Sequence, residues 1–268
     1  MRILFVGDIV GKPGRKAVKE LLPQIVSQYQ IDFVIANCEN AAGGFGVTRD
    51  IVEELYQSPI DVLTSGNHIW DKKEIAGFVE DYEILLRPAN YPEGTPGRGS
   101  VAITSASGVR VGVLNLAGRI FMQPLDCPFR TAEKEIEQLK KKTKIIIVDI
   151  HAEATSEKKA LGWFLDGRVS AVLGTHTHVQ TADEKILPGG AAYITDVGMA
   201  GPFDSIIGLK KDDVLQRFLT QIPNRFNVAK DDVRLQGVVI DVDEKSGRST
   251  GIERLSVKVK DIREDRGF

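Results

Sequence analysis

Short apolar runs and helix-period stretches alternate through the first seventy residues of the chain. Arg2–Gly7 is a run of strand length, and Pro13–Gln28 carries Val18, Leu21, Leu22, Ile25 and Val26 at helical spacing. Pro13 suits a first helical turn. Asp32–Asn37 is a second apolar run, Arg49–Gln57 a second helical stretch with Thr48 placed to cap it, and Asp61–Ser65 a third run. Strand, helix, strand, helix, strand at this spacing predicts right-handed crossovers and a parallel sheet.

The pattern changes after Gly99. Ser100–Ser105 and Arg110–Leu116 flank Ala106-Ser107-Gly108-Val109, a hairpin signal. Thr131–Lys142 reads as an amphipathic helix, Lys144–Ile150 as a strand, Glu157–Leu165 as a helix, and Val169–Leu173 and Ala191–Thr195 as strands. Gly237–Val242 and Ile252–Val259 flank the turn-rich Asp243–Gly251, a second hairpin. Strands arrive from both halves of the chain with helices between them, which predicts two packed sheets with helices outside. Arg87–Gly99, rich in proline, is the best candidate for a long loop.

Composition narrows the class. The chain has 268 residues, 42% of them hydrophobic, enough for a large core. Net charge is -2, so nothing suggests binding to duplex nucleic acid. Lys140, Lys141, Lys142 and Lys144 form a short basic cluster that reads as a solvated helix end. Cys38 and Cys127 make neither a CxxC nor a disulfide framework. No run approaches the ~18 to 20 apolar residues of a membrane helix, and the N-terminal run is too short for a signal sequence. The expectation is a cytoplasmic protein, with homo-oligomerisation left open.

The chemistry sits where the apolar runs end. All four histidines lie there: His68 in SGNHIW, His151 in IIIVDIHAE, His176 and His178 in VLGTHTHV. Asp8 ends the first run; Glu39 and Asn40 follow the second; Asn67 follows the third. In parallel sheets, ligands bind beyond the carboxyl ends of strands. A two-metal hydrolase needs a bridging carboxylate, further neutral or anionic ligands and open positions, and these residues can supply them. Only Asp8 and Glu39 carry charge, so two divalent cations would leave a positive centre that attracts a phosphate ester. His176 and His178, two apart, share one side of an extended segment, with Gly174 and Thr175 as the tight entry.

Some residues carry two readings. With Asn67 at a metal, His68 faces the substrate and serves as acid for the leaving group; the plainer reading is a loop hydrogen bond. Gly43-Gly44-Phe45-Gly46 is either a plain loop or a lip on the pocket with Phe45 stacking on a base. Cys38 alternates with Glu39 and should point away from the metal side as a packed thiol. GDIVGKPG lacks the spacing and the Ser/Thr of a phosphate loop. Gly198, Gly201 and Pro202 in DVGMAGPFDS mark a tight loop, either structural or closing over the site.

GD, then GNH, then a strand-final His, then GTHTH resembles the calcineurin-like metallophosphoesterases. The departures are specific. No histidine follows Asp8 as in DxH, Glu39 in NCENAAGG stands where the bridging Asp is usual, and GNHE reads GNHIWD. With these, RILFVGDIVGKPGR, ANCENAAGGFGVT, TSGNHIWD, GTHTHVQTAD and TDVGMAGPFDSIIG resemble the YmdB-like branch, the bacterial 2′,3′-cyclic-nucleotide phosphodiesterases. The resemblance spans nearly the whole chain.

It implies a four-layer αββα sandwich of two mixed sheets flanked by helices, as one unit over residues 1–268. It implies two divalent ions, Fe or Mn with Zn or Ni also compatible. One would be held by Asp8, Glu39, Asn40 and His178, the other by Glu39, Asn67, His151 and His176, with Glu39 bridging and Asn40 in the position of the missing histidine. His68 would be the acid or phosphate-orienting residue, and Gly43, Phe45 and Thr175 are expected at the substrate. The implied reaction is attack of an activated hydroxide on a small cyclic nucleotide, 2′,3′-cyclic or 3′,5′-cyclic, or another phosphodiester. A phosphomonoesterase or protein phosphatase on the same fold, a slow-turnover nucleotide-binding regulator and a single-strand nuclease are the rivals.

Overall fold

Alternation along the first strand decides the layering. In β1 (Arg2–Val6), Ile3 and Phe5 face one core while Leu4 and Val6 face another, all fully buried. The same two-sided burial recurs in β7 (Ile145–His151), where Ile145 and Ile147 face the first strand's inner core and Ile146, Val148 and Ile150 face outward under helices. Strands buried on both faces need a cover on each, and three apolar cores separated by two sheets supply it.

The computed structural model describes residues 1–259; the end of the expected unit, residues 260–268, lies outside the described residues. In chain order the elements are β1, β2 (Asp8–Ile9), α1 (Gly11–Tyr29), β3 (Phe33–Asn37), α2 (Arg49–Tyr56), β4 (Val62–Thr64), β5 (Ser100–Thr104), β6 (Arg110–Ala117), α3 (Pro128–Lys140), β7, α4 (Thr155–Leu165), β8 (Ala171–Thr175), β9 (Lys185–Ile186), β10 (Ala192–Ile194), β11 (Met199–Pro202), α5 (Lys211–Thr220), β12 (Val233–Val242) and β13 (Ser249–Lys258). Two short 3-10 turns follow β4.

The first sheet runs β2-β11-β12-β1-β3-β4, with β13 also paired to β12. β1, β3 and β4 are parallel, and β12 is antiparallel to β1. The second runs β5-β6-β7-β8-β10-β9, with β6, β7, β8 and β10 parallel and the edges antiparallel. α1 buries Ala17, Val18, Leu21, Leu22 and Ile25 on the first sheet, joined by Val52 and Leu55 of α2. α3 and α4 cover the second sheet with Ile136, Leu139, Leu161 and Leu165. Helix, sheet, sheet, helix is the arrangement expected. No described helix is long and apolar enough to cross a membrane.

Several local expectations change. The DVGMAGPFDS segment is not a loop throughout: Met199–Pro202 forms β11, held between β2 and β12. Gly198 is left-handed, φ 85°, where a Cβ would overlap the Gln236 side chain, and Gly14 of α1 runs against the Ala200 carbonyl. Thr48 precedes α2 in extended conformation but its side chain caps nothing; the Glu74 carboxylate instead accepts from Arg49 N at 3.2 Å. α5 was not anticipated, because only Val214 of its ten residues is buried and the apolar side chains Leu215, Phe218 and Leu219 face solvent.

Candidate metal centre

The carboxyl ends of five strands meet at one end of the sandwich. The first sheet brings Asp8 just after β1 as the first residue of β2, Glu39 and Asn40 after β3, and Asn67 after β4. The second brings His151 at the end of β7 and His176 and His178 after β8. The backbone turn through Gly66 passes so near that a Cβ there would overlap His151 and the Glu39 carboxylate. Glycine before Asn67 is thus a packing requirement of the site itself.

Two groups of donor atoms result. Around His151 Nε2 lie Glu39 Oε1 at 3.0 Å, Asn67 Oδ1 at 3.2 Å and His176 Nδ1 at 3.0 Å. Around His178 Nε2 lie Asn40 Oδ1 at 3.3 Å and Asp8 Oδ1 at 3.8 Å. Glu39 reaches the other way too, where its Oε2 accepts from His68 N at 3.1 Å. The ligand atoms of Glu39, His151 and His176 all lie within 4.8 Å of one another.

Each histidine is anchored by one ring nitrogen and offers the other to the pocket. His178 Nδ1 donates to the Ile207 carbonyl at 2.8 Å, which leaves the Nε2 lone pair facing Asn40 and Asp8. His151 Nδ1 lies 2.9 Å from Thr175 Oγ1, whose own hydroxyl donates to Asp149 Oδ1 at 2.7 Å, so His151 donates there. His176 Nε2 meets Glu153 Oε2 at 3.2 Å, and His68 Nδ1 meets Asp71 Oδ2 at 2.9 Å. Partners on the far nitrogen are how proteins fix the tautomer and aim of metal-binding imidazoles.

The electrostatics follow burial and crowding. Burial raises Asp8 above the usual carboxylate range. Burial also pushes Glu39 up, but the His151 charge and hydrogen bond, with help from His68, hold it at about 2. Burial pulls His151 down, and the Glu39 charge and hydrogen bond and then Asp8 outweigh it, raising the imidazole to about 9. His176 falls to about 3 through burial and the neighbouring His151. Burial lifts Asp149 to about 7 against the pull of His151. A proton on His151 occupies the lone pair a divalent cation would claim, and metal binding displaces such protons.

The donor set fits metal ions. Asp8 Oδ1 is buried with no hydrogen-bond partner, 3.8 Å from His178 Nε2. Asn40 Nδ2 is occupied by the Gly44 carbonyl at 2.9 Å, which turns its Oδ1 toward His178 Nε2. Lone pairs turned toward one another are stabilised by a positive charge between them, a metal ion or a proton. Oxygen and imidazole donors in such number suit first-row divalent ions.

A cavity of about 330 Å³ opens onto these groups. Its polar lining is Glu39, Asn40, His68, Glu153, His176, Thr177 and His178; its apolar lining is Val10, Phe45, Ile207 and Leu209, with Gly44. The structure brings together all seven expected metal ligands and His68. Two expectations for the substrate wall change. Thr175 is fully buried behind His151, because strand β8 carries it into the sheet before the turn begins. Gly44, not Gly43, reaches the cavity beside Phe45, whose ring packs edge-on against His68 at 4.9 Å. The His176–His178 segment is not extended. Both residues have left-handed backbones, φ 99° and 63°, and converge by turning rather than by alternation.

Cys38 is fully buried in the helix-side core, where burial and the Glu39 charge raise its thiol, in keeping with a packed residue. The partners Asp71, Glu153, Asp149 and Asp196 were not singled out by sequence reasoning. Asp71, three residues after His68, was visible as a local spacing; the others depend on the tertiary fold. Asp196 accepts from Thr177 N and Oγ1 at 3.1 and 2.8 Å, from Gly198 N at 2.9 Å and from buried Lys158 Nζ at 2.8 Å.

Similar proteins of known sequence and structure span nearly the whole chain. A sequence model of the YmdB-like protein family matches residues 4–255. The chain is 54% identical to the 2′,3′-cyclic-nucleotide 2′-phosphodiesterase of Bacillus subtilis (strain 168), over 96% of this chain and 97% of that protein. A crystal structure of a Mycoplasma pneumoniae protein described as a novel phosphatase superposes with a TM-score of 0.90 at 35% identity, over 100% of this chain and 97% of that one. The calcineurin-like phosphoesterase YfkN of Bacillus subtilis shares the fold, with a TM-score of 0.57 at 12% identity, over 96% of this chain and 90% of that one.

Proposed function

Because this chain belongs to the YmdB-like family, we propose that it is a metal-dependent phosphoric diester hydrolase that opens nucleoside 2′,3′-cyclic phosphates. The observation that carries the reading is the pair of acceptor-atom groups at the floor of the cavity, with His68 beside them. Asp8, Asn40 and His178 would hold one divalent ion, Asn67, His151 and His176 the other, with Glu39 between them. Mn or Fe suits these donors, as do Zn and Ni. When bound, two such ions supply a water acidic enough to attack phosphorus and neutralise charge on the phosphoryl oxygens.

The protein's own part is positioning and proton delivery. Asp71 holds His68 by Nδ1, which leaves Nε2 to deliver a proton to the departing ribose oxygen as the P–O bond breaks. Phe45 braces the same ring from its edge. The Bacillus subtilis relative is named for cleavage at the 2′ position, and the same bond here would leave a nucleoside 3′-phosphate. Val10, Ile207 and Leu209 give the sugar an apolar wall. The phosphatase description of the Mycoplasma protein favours a second reading, hydrolysis of phosphomonoesters.

Hydrolysis of 2′,3′-cyclic AMP by protein stripped of metal and reloaded with Mn²⁺ or Fe²⁺ tests this, with 3′,5′-cyclic AMP and nitrophenyl phosphate run alongside. Metal-dependent turnover of the 2′,3′-cyclic diester with little of the monoester is expected. Turnover of the monoester alone moves the assignment to a phosphatase. No turnover with both ions bound leaves a nucleotide-binding regulator.

A further inference from the structure

Every apolar residue lining the cavity comes from loops of the first sheet: Val10 after β2, Phe45 after β3, Ile207 and Leu209 after β11. From the second sheet come only the polar residues Glu153, His176, Thr177 and His178. The loop that follows β6 lies at the same level, since Ala117 pairs with His151 in the sheet register. It carries Ile120 and Phe121, 44% and 90% exposed. Phe121 is the most exposed large apolar side chain among the described residues, and its backbone is left-handed, φ 59°. A non-glycine residue in that conformation is strained, and here no buried contact of the side chain compensates.

The loop is nevertheless fastened on both sides of Phe121. Gly118 N donates to the His151 carbonyl at 2.9 Å. Arg119 N and Ile120 N donate to the buried Glu157 carboxylate at 3.2 and 3.3 Å. Glu153 N donates to Met122 Sδ at 3.3 Å, and Tyr91 Oη to Gln123 Oε1 at 3.3 Å. Glu153 itself lines the cavity and holds His176. A ring held in water by a strained but hydrogen-bonded loop, one residue before the Met122 that touches the cavity-lining Glu153, is placed to meet a group that projects from the cavity.

We propose that Phe121 is the stacking platform for the nucleobase of the substrate, which projects from the cavity mouth while the cyclic phosphate lies at the donor atoms. This rests on the cyclic-nucleotide reading above. Phe45 is less suited to the role, because its ring is already packed against His68. A π face accepts any base, so the platform favours nucleosides over other phosphodiesters without selecting among bases.

The test uses metal-loaded protein with Phe121→Ala and Phe121→Trp. For 2′,3′-cyclic AMP and 2′,3′-cyclic UMP, Phe121→Ala raises KM about 5- to 150-fold, the range of alanine substitutions at stacking aromatics. It leaves kcat and metal content as in the parent, and it leaves KM unchanged for a methyl riboside 2,3-cyclic phosphate that lacks a base. Phe121→Trp restores KM, and its indole fluorescence is quenched by 2′,3′-cyclic AMP relative to Phe121→Ala. An unchanged KM for the nucleotides, or an equal loss for the base-free diester, overturns the proposal. So does a shift in oligomeric state of Phe121→Ala with unchanged KM, which makes the ring a protein contact. Quenching without turnover in any variant sinks the hydrolase reading and leaves the platform standing.

Discussion

An imidazole can bind a cation or deliver a proton through either nitrogen, and this site removes the choice four times. Thr175 backed by Asp149 holds His151, Glu153 holds His176, a main-chain carbonyl holds His178, and Asp71 holds His68. Such partners are worth about 10- to 100-fold in metal affinity. Glu153→Ala is therefore expected to weaken Mn²⁺ binding about 10-fold or more by this effect, and Glu153→Gln to restore most of it because its amide oxygen still accepts from Nε2. Metal titration followed by elemental analysis reads this, and parent-like affinity in the alanine variant refutes the role. The residues that gather in the site were legible because each ends an apolar run. Their partners were mostly not. Thr175 was read as facing substrate, since nothing local shows that it stays inside the strand when His176 leaves it.

The turn after β8 shows why. Two successive left-handed histidines flank Thr177, and Thr177 is bound through both N and Oγ1 to Asp196, which is itself paired with buried Lys158. The pair ties α4 and the segment after β10 to the histidine turn. Removing one member of a buried pair strands the other, a cost of about 3–5 kcal/mol. Asp196→Ala should lose that much in urea denaturation. Lys158→Met added to it should recover most of the stability but not the metal affinity, because Thr177 remains unheld. Full recovery of both would mean the pair acts on stability alone. Sequence periodicity found the long, two-sided strands, whose burial repeats every second residue. It passed over β11, whose Gly and Pro read as loop but whose Ala200 carbonyl packs against Gly14 of α1, a contact with no local signal. It passed over α5, whose apolar side chains do not enter a core.

At the scale of the molecule, the donors are divided between the two sheets: Asp8, Glu39, Asn40 and Asn67 from one, His151, His176 and His178 from the other. Ions that bind both sets stabilise the packed state against the unfolded chain. A ligand at a hundred times its Kd adds about 2.7 kcal/mol. For a chain of this length that corresponds to a rise in Tm of roughly 5–10 °C on Mn²⁺ loading, reversed by chelator. An unchanged melting curve would mean that the donor groups do not bind ions across the sheets. The sandwich itself was readable from strands arriving in two batches with helices between them. That the last strands return to the first sheet was not, because pairing partners far apart in sequence leave no local signal.

That return has a consequence for the order of manufacture. β1 pairs along its length with β12, Arg2 opposite Asp241. Asp8, just after β1, is thus made well before the strand that fences β1. The whole second sheet, with its three histidines, is made in between. Chains grow from the amino end, so the nascent protein exposes carboxylates long before the imidazoles and the closing strand can join them. A complete donor set, and with it any loading with ions, would therefore wait until the second sheet and β12 have been made.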